Sequence, residues 1–462
     1  MLTGGDKLRN AFESLARIVG TRYALYPADT GFEDYLRDET YLRGDASLVL
    51  APATGDEVVA ILAELRAQRA RHTNEQQHLT LTLRGGGSGL SGAAVPVSGI
   101  VLDTARMNRL LDVDEKNLIA KAECGIRVAE IQAALAGENF DYAVDPSSAA
   151  LCTLGGSIAT NAAGPSSLKY GTTRQNLAAV RFVTSGGELI SAGALPAKTS
   201  MGFSLSDLLC GSEGRLGVIL EADVRLLPRA EETALVVGSF GDESGAMDFV
   251  LQLRQSGLRP RCVEIVDGYS MRLADFSLAG EAMLMIELDG SAAQVAHDLE
   301  KLQALRPAID WLLARGQGDR AGLWKKRKSI TQELKKRFAF KLGEDIAVPL
   351  TALAHTAAFA RTRAAERGVE TAIWGHAGDG NLHVNYLLEK AADLPVLDIL
   401  MKELAYEVTR VGGAISGEHG LGRLKKKFAR AVLPAAYFNA QDRIKAAFDP
   451  DCMLNPALEL PA

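Results

Sequence analysis

Hydrophobic and polar positions follow one pattern before about residue 228 and another after it. In the first part, short apolar runs typical of strands alternate with amphipathic stretches typical of helices. Thr54 and Glu57 form a capping box that opens a predicted helix ending near Arg69, and a second helix is predicted over 128–138. The predicted strands are 48–51, 79–83, 100–103, 118–123, 217–227 and a hairpin of 179–184 with 188–191.

The second part predicts longer helices between fewer strands. Strands are predicted at 234–240, 261–266, 282–288, 371–374 and 382–386, and helices near 242–255, 291–306, 319–337, 351–367, 396–410 and 434–447. A chain of 462 residues exceeds the size at which a single core stops growing. We therefore predict an N-terminal helical segment (1–44), a first domain (45–228) and a second domain (229–462).

Composition narrows the classes of function. The net charge of −6 and the absence of a basic stripe argue against a nucleic-acid partner. The five cysteines form no CxxC pair, which argues against a zinc ribbon, a cysteine-ligated iron–sulfur cluster and a disulfide framework. Residues 1–20 predict an amphipathic helix instead of a signal peptide, and the uncharged stretch 146–168 is too polar for a bilayer. We expect a cytoplasmic protein without a transmembrane segment, and leave open peripheral attachment at the inner membrane face.

Three glycine-rich segments lie in the first part. Residues 84–92 (RGGGSGLSG) follow a predicted strand, and their backbone N–H groups suit a diphosphate, although the segment is not a Walker A loop. Residues 145–164 are dense in small uncharged side chains, which suits backbone wrapped around a large flat ligand. Residues 210–220 lead from glycines into a strand. A flexible turn, a small-residue helix packed on a sheet and an ordinary turn are the respective alternatives.

The segment 374–385 (WGHAGDGNLHVN) carries the strongest chemical signal. A tight turn separates His376 from His383, and the later segment 417–420 supplies Glu418 and His419. Two imidazoles and one carboxylate with open positions are typical of a catalytic divalent site for zinc, manganese or iron. Structural histidines are the alternative.

The three glycine-rich segments together resemble, in order and spacing, the FAD domain of the vanillyl-alcohol oxidase type, also called the PCMH type. The resemblance runs from about residue 40 to the end and is nearest to the group of D-lactate dehydrogenase, D-2-hydroxyglutarate dehydrogenase and the D subunit of glycolate oxidase. It implies an α+β protein, with a PCMH-type FAD-binding domain of two α/β subdomains followed by an α+β cap domain with an antiparallel sheet. The first loop lacks the histidine of relatives with covalent flavin, so non-covalent FAD is implied. The implied FAD contacts are Arg84, Gly85, Gly86, Gly87, Ser88, Gly89, Leu90, Ser91, Gly92, Pro146, Thr153, Gly156, Ser157, Asn161, Ala163, Gly164, Gly217, Val218, Ile219 and Asn455.

The same resemblance assigns roles in the second part. It implies that His376, His383 and Glu418 bind the metal, that His419 is the general base, and that the substrate is bound by Arg327, Thr331, Lys341 and Asn385. Arg327 and Thr331 are spaced to share one helix face. The charge run 325–328 is equally typical of a solvated helix face, and the run 425–427 is interpreted as such a face, with a docking patch for an acidic partner left open.

The resulting hypothesis is metal-assisted oxidation of a D-2-hydroxy acid of the lactate, 2-hydroxyglutarate or glycolate type, with hydride transfer to flavin N5. Zinc is the first choice of metal, with manganese and iron as alternatives. A quinone, a cytochrome or an electron-transfer protein would accept the electrons, and a homodimer is left open. The alternatives are a flavoprotein subunit of a larger glycolate oxidase-like complex, a metal-dependent hydrolase and a non-catalytic binding module.

Overall fold

A computed structural model describes residues 4–74, 76–196, 198–306, 309, 311–390 and 394–459. Its mixture of helices and largely antiparallel sheets confirms the predicted α+β class. In the first half, the helices are α1 Gly4–Val19, α2 Gly55–Arg71, α3 Val128–Ala134, α4 Leu154–Thr160, α5 Ser167–Tyr170, α6 Thr173–Asn176 and α7 Leu205–Leu209. The strands are β1 Ala24–Leu25, β2 Leu48–Leu50, β3 Leu81–Arg84, β4 Ile100–Asp103, β5 Leu110–Asp114, β6 Ile119–Glu123, β7 Phe140–Asp141, β8 Leu177–Val183, β9 Leu189–Gly193, β10 Val218–Arg225 and β11 Leu227–Pro228.

The first half is built on two sheets that share one hydrophobic core. Strands β1-β2-β4-β3 form one sheet, in which β2, β4 and β3 run parallel, and β5-β6-β10-β8-β9 form an antiparallel sheet. The N-terminal segment predicted for residues 1–44 contains helix α1 and strand β1. Its helix α1 packs on α2, its strand β1 pairs with β2, and Leu15 lies in the shared core.

The second half is built on one antiparallel sheet of seven strands, in the order β15-β12-β14-β13-β17-β18-β16. The strands are β12 Glu232–Phe240, β13 Cys262–Asp267, β14 Ala282–Gly290, β15 Trp311–Ala314, β16 Phe340–Ala347, β17 Glu370–Gly375 and β18 Asn381–Leu388. The helices are α8 Glu243–Gln255, α9 Gly268–Leu273, α10 Ala292–Leu305, α11 Gln317–Arg337, α12 Leu353–Ala365, α13 Leu394–Arg410, α14 Gly422–Val432 and α15 Ala435–Phe448. We keep residue 228 as the proposed domain boundary, because β12 is the first strand of this sheet in the described chain.

The two faces of the seven-stranded sheet differ in what covers them. Helices α8, α10 and α12 pack on one face, around a core that includes Ile265 and Val384. Helices α9 and α11 pack on the other face, where Val266 and Trp374 are buried. Residues opposed in an antiparallel ladder share a face. The pairs Trp374–His383 and His383–Asp345 therefore place these polar side chains on the α11 side of the sheet.

The end of the chain returns to the first half. The N–H of Leu81 donates to the Met453 carbonyl at 2.7 Å, and the N–H of Asn455 donates to the Leu81 carbonyl at 2.7 Å. The C-terminal residues thus extend the edge of the sheet at β3, directly before the glycine-rich loop. Among the described residues, no helix is both long enough and apolar enough to span a bilayer.

Candidate active site

A cavity lies where the end of β3, the start of α4 and the start of β10 meet. Of the residues predicted to contact FAD, its wall includes Arg84, Gly85, Gly86, Gly87, Ser88, Gly89, Leu90, Ser91, Pro146, Thr153, Gly156, Ala163, Gly217, Val218, Ile219 and Asn455. Glu418 and His419 from the second half complete the same wall. The three glycine-rich segments and the Glu-His pair therefore meet at one cavity.

Close approach explains the glycines of the first loop. A Cβ atom on Gly85 would overlap the Thr153 hydroxyl, and one on Gly86 would overlap the Leu151 carbonyl oxygen. Thr153 in turn caps α4 by accepting the N–H of Gly156 at 3.2 Å. The small-residue segment thus contains a helix, which was its alternative interpretation, and the N-terminal turn of that helix also faces the cavity.

Four of the predicted FAD contacts lie outside the cavity wall: Gly92, Ser157, Asn161 and Gly164. Ser157 is fully buried, with its hydroxyl 2.7 Å from that of Thr173. Asn161 ends α4 at φ 52°, and its side-chain oxygen accepts the Thr172 hydroxyl at 2.8 Å and the Arg174 N–H at 3.0 Å. Gly164 packs on Asp145 and Gly92 on Leu42. The side chains of Ser157 and Asn161 are thus engaged by other protein groups.

Asn455 lines the cavity, but its amide group is engaged. Its oxygen accepts the Leu83 N–H at 2.6 Å, and its nitrogen donates to the Glu213 carbonyl at 2.5 Å. The side chain therefore fastens the C-terminus to β3, a structural role that the predicted flavin contact did not include.

His376, His383 and Glu418 converge from three places in the sequence. His376 follows β17, His383 lies on β18 after a turn closed by Gly380 at φ 87°, and Glu418 lies between α13 and α14. One ligand atom from each lies within 4.8 Å of the others. His376 Nε2 is 3.8 Å, and His383 Nε2 is 3.6 Å, from oxygens of the Glu418 carboxylate.

The electrostatics of this cluster fit a divalent cation. Burial lowers the pKa of His383 to about 3, which keeps the imidazole neutral. Burial works against the charge on Glu418, but hydrogen bonding to His376 outweighs it and holds the pKa of this carboxyl well below its usual range. The Nδ1 of His376 is bound to the Glu264 carboxylate, which leaves its Nε2 directed at Glu418. Two imidazole nitrogens and one carboxylate are a donor set suited to zinc and related ions.

His419 stands between this cluster and the cavity. Its Nε2 is 3.4 Å from Glu418, and its ring stacks on that of His383 with centroids 5.6 Å apart. Its Nδ1 is 3.8 Å from a carboxylate oxygen of Asp345. Burial lowers the pKa of His419, but the Asp345 carboxylate more than offsets this, so that the net shift is upward.

Asp345 also holds the loop that carries Glu418 and His419. It is fully buried on β16, and one of its oxygens accepts the N–H groups of Gly417, Glu418 and His419 at 3.0, 2.9 and 2.9 Å. The other oxygen accepts the Asn381 amide at 2.6 Å. One carboxylate thereby orders three successive backbone amides.

The predicted substrate residues lie on the same side of the sheet. Arg327 is buried on α11, with Nη2 2.8 Å from Glu264, and Thr331 follows one turn later. The Arg327 guanidinium carbon and the Lys341 Nζ lie 5.8 and 5.6 Å from the centroid of the Trp374 ring. Burial, with a smaller effect of Lys335, lowers the pKa of Lys341 to about 8.

Asn385 differs from this group. It is almost fully buried, and its amide nitrogen donates to the carbonyl oxygens of Ala372 and His383 at 3.2 and 3.0 Å. That nitrogen is therefore engaged within the sheet, and the contact of Asn385 with a substrate stays a prediction.

Several buried charged residues of the site were not found from the sequence. Glu264, Asp345 and Glu213 were not singled out, although an acidic residue inside an apolar strand, as in 262–267, is a usable signal. Lys425 contradicts its interpretation as part of a solvated face. It is buried, donates to the carbonyls of Asp345 and Ile415 at 2.6 and 2.8 Å, and lies 3.4 Å from Glu344.

Comparison with known proteins agrees with this geometry. Residues 46–193 match the family described as FAD binding domain, and residues 227–458 match FAD linked oxidases, C-terminal domain. The chain is 34% identical to glycolate oxidase subunit GlcD of Escherichia coli, covering 90% of this chain and 83% of that protein. It is 33% identical to D-lactate dehydrogenase of Archaeoglobus fulgidus (88% and 90% covered) and 29% identical to D-2-hydroxyglutarate dehydrogenase of Xanthomonas citri (93% and 92% covered).

Solved structures support the fold. The structure of p-cresol methylhydroxylase with bound substrate superposes with a TM-score of 0.78 at 15% identity, covering 99% of this chain and 97% of that one. Alkyldihydroxyacetonephosphate synthase superposes with a TM-score of 0.76 at 17% identity, covering 97% and 84%. The predicted PCMH-type fold is thereby confirmed. The chain belongs to the FAD-linked oxidases, as a flavin-dependent oxidoreductase of the group that contains the glycolate oxidase subunit and the D-lactate and D-2-hydroxyglutarate dehydrogenases.

Proposed function

We propose that this protein oxidises a small D-2-hydroxy acid to the corresponding 2-oxo acid, using non-covalent FAD and a divalent metal ion. One observation carries the proposal. The candidate metal ligand Glu418 and its neighbour His419 line the same cavity as the glycine-rich loops of the FAD-binding half. The names of the relatives, which include a glycolate oxidase subunit and two D-2-hydroxy acid dehydrogenases, support this class of substrate.

The cofactors supply chemistry that the side chains cannot. FAD in the cavity would supply the hydride acceptor, and a cation held by His376, His383 and Glu418, with zinc as first choice over manganese and iron, would supply Lewis acidity that lowers the pKa of a bound hydroxyl. His419 would take the hydroxyl proton; its position on the cavity wall and 3.4 Å from Glu418 supports this role.

The substrate carboxylate would be held by two cations. Arg327 and Lys341 approach the Trp374 ring, and the buried Nε of Arg327 has no hydrogen-bond partner in the described part of the chain. Thr331 adds a hydroxyl one helical turn after Arg327. A carboxylate bound between these groups fixes the orientation of C2, which is a positioning contribution to the rate.

The electron acceptor is the point on which two forms of the proposal differ. A dehydrogenase acting alone passes electrons to a quinone, a cytochrome or an electron-transfer protein. The relative named as a glycolate oxidase subunit favours the second form, in which this chain is the flavoprotein of a larger complex. Membership in the FAD-linked oxidases favours either form over a metal-dependent hydrolase or a binding module.

Anaerobic flavin reduction tests the proposal. The purified protein should show the yellow flavin bands, and these should bleach with D-lactate, glycolate or D-2-hydroxyglutarate but not with the L-enantiomers of the chiral acids. A chelator should abolish the bleaching, and zinc or manganese should restore it.

The variant His419→Ala should retain FAD and lose the bleaching rate by about 10²- to 10⁴-fold, as expected for a general base. His355→Ala is the matched control, because His355 is about half exposed and pairs with the buried Glu407, outside the candidate cluster and the cavity wall. A colourless wild-type protein, a panel without any bleaching, or normal bleaching in His419→Ala would contradict the proposal.

A further inference from the structure

We infer that Glu264 couples the metal site to the substrate site, by holding a metal-binding imidazole with one carboxylate oxygen and the substrate-binding guanidinium with the other. The inference rests on the proposed function and adds a positioning residue to it. Glu264 neither lines the cavity nor belongs to the three candidate ligands, so its effect would be exerted through His376 and Arg327.

The strand register places Glu264 between these two residues. On β13 and β17, Ile265 is paired with Gly375 and Val266 with Trp374. One further step along both strands brings Glu264 opposite His376. Helix α11 packs on this face of the sheet, and its residue Arg327 contacts the same carboxylate.

Both carboxylate oxygens of Glu264 are used. Oε1 is bound to the Nδ1 of His376, and Oε2 accepts the Arg327 Nη2 at 2.8 Å. The residue has no measurable exposure to solvent, at 0% of its surface. A buried carboxylate with two fixed partners is rigid, and it transmits a displacement of either partner to the other.

The contact to His376 sets the properties of that side chain as a ligand. Because Nδ1 donates its proton to Glu264, a cation would bind at Nε2, in place of any proton there, and Nε2 faces Glu418 at 3.8 Å. A carboxylate behind a metal-binding imidazole fixes the tautomer and the ring orientation and raises the basicity of the ligand. Loss of such a carboxylate typically lowers metal affinity by about 10- to 100-fold.

The contact to Arg327 sets the charge available to the substrate. Glu264 compensates one of the two cations beside Trp374, and the Lys341 Nζ has no ion-pair partner within the described residues. One positive charge therefore remains for the substrate carboxylate. Glu264 also fixes the guanidinium plane, so that the unpaired Nε keeps one direction.

Substitution of Glu264 separates this coupling from a merely structural role. In Glu264→Gln we expect zinc and manganese affinity, measured by competition with a chelator, to fall by about 10- to 100-fold. We expect the affinity for pyruvate and 2-oxoglutarate, measured by perturbation of the flavin spectrum, to fall at least tenfold. FAD content should stay near that of the wild type.

Two further variants provide a matched control and a test that Glu264 affects the substrate through Arg327. Glu287→Gln removes a buried carboxylate on the neighbouring strand that binds Trp324 at 2.9 Å, and should change neither affinity. In the double variant Glu264→Gln with Arg327→Met, measured at saturating metal, the loss of 2-oxo acid affinity should equal that of Arg327→Met alone, because the remaining route from Glu264 to the substrate then runs through Arg327.

Each outcome decides the inference. Metal and 2-oxo acid affinities within twofold of the wild type in Glu264→Gln overturn it, as does an additive loss of acid affinity in the double variant. If Glu264→Gln does not fold, Glu264→Asp decides, because it keeps the charge but shortens the reach; wild-type affinities in that variant overturn the inference. A wild-type protein that binds no metal overturns the proposed function and this inference together, whereas unchanged variants of a metal-binding wild type overturn the inference alone.

Discussion

Replacement of Asp345 by Asn should uncouple the Glu418–His419 loop from the sheet that holds it. In the native protein, one carboxylate oxygen accepts the N–H groups of residues 417, 418 and 419 at 3.0, 2.9 and 2.9 Å, and the Ser416 hydroxyl at 3.1 Å. Asn has the same size, but it carries no charge and offers a single acceptor oxygen. The three backbone donors therefore exchange charge-assisted bonds for neutral bonds, or lose them.

The size of the effect follows from this exchange. A hydrogen bond to a charged group contributes about 1.5–3 kcal/mol and a neutral one about 0.5–1.5 kcal/mol, so each bond loses about 1 kcal/mol. Three bonds give about 3 kcal/mol, which corresponds to roughly a 100-fold change in an equilibrium constant. Because Glu418 and His419 lie on this loop, the loss should reduce both the metal affinity and the rate of flavin reduction.

Competition with a chelator measures the metal affinity of Asp345→Asn, and anaerobic stopped-flow absorbance measures its rate of flavin reduction by a 2-hydroxy acid. The control Asp398→Asn removes an exposed carboxylate that pairs with Lys427 at 2.8 Å on the surface of the same half. A folded Asp345→Asn variant with both quantities within twofold of the wild type would refute the assigned role of this carboxylate.

Two further predictions concern the substrate and the flavin. Burial lowers the pKa of Lys341 to about 8, so the amine is charged below that pH and neutral above it. KM for the hydroxy acid should therefore rise above pH 8. The KM–pH profile of Lys341→Met should lack this inflection, and a Lys341→Met profile identical to that of the wild type would contradict the prediction. Gly86→Ala places a Cβ against the Leu151 carbonyl, and such overpacking costs about 1–3 kcal/mol. This variant should therefore contain less FAD after gel filtration, whereas the control Gly137→Ala, which has open space around its Cβ, should keep its FAD. Equal FAD content in the two variants would contradict the close approach of the loop to Leu151.

Elements with a clear apolar period and a cap were predictable from the sequence. The strand over 100–103 was predicted with its observed bounds, and the helix predicted over 242–255 begins at Glu243, because the Asp242 side chain caps it by accepting the Gly245 N–H at 2.7 Å. Thr54 caps its helix as predicted, but the second half of the capping box is not formed, because the Glu57 side chain binds the residue before the N-cap. Thr54 accepts the Glu57 N–H at 3.2 Å, and the Glu57 carboxylate reaches the N–H of Ala53.

Strand β16 was missed for a physical reason that concerns the site. Its sequence, FKLGEDIA, places Lys341, Gly343 and Asp345 on one face, where an ordinary strand would carry apolar residues. On that face Asp345 accepts the N–H groups of residues 417–419, and Lys341 lies against the Trp374 ring. A functional strand thus lost the alternation by which strands are recognised.

The site was predictable only where its residues are close in sequence. His376 and His383 stand in one short segment, and Glu418 and His419 are adjacent, so both pairs were visible in the sequence. Glu264 is separated from His376 by 112 positions and Asp345 from Glu418 by 73. Such pairs depend on strand register and loop placement, which local patterns do not encode.

The loop between α13 and α14 is bonded to both halves of the molecule, and this determines where His419 lies relative to the cavity. On one side, Asp345 of the seven-stranded sheet binds residues 417–419. On the other side, the Gly422 N–H donates to the Glu213 carboxylate at 2.9 Å and the Arg423 N–H donates to the Ser91 carbonyl at 2.8 Å, at the end of the glycine-rich loop. Since His419 lies between these two attachments, a shift of either half against the other would move the proposed base away from the flavin or away from the metal cluster. The site therefore requires both halves in one fixed arrangement, and neither half on its own carries all the groups that the proposed reaction needs.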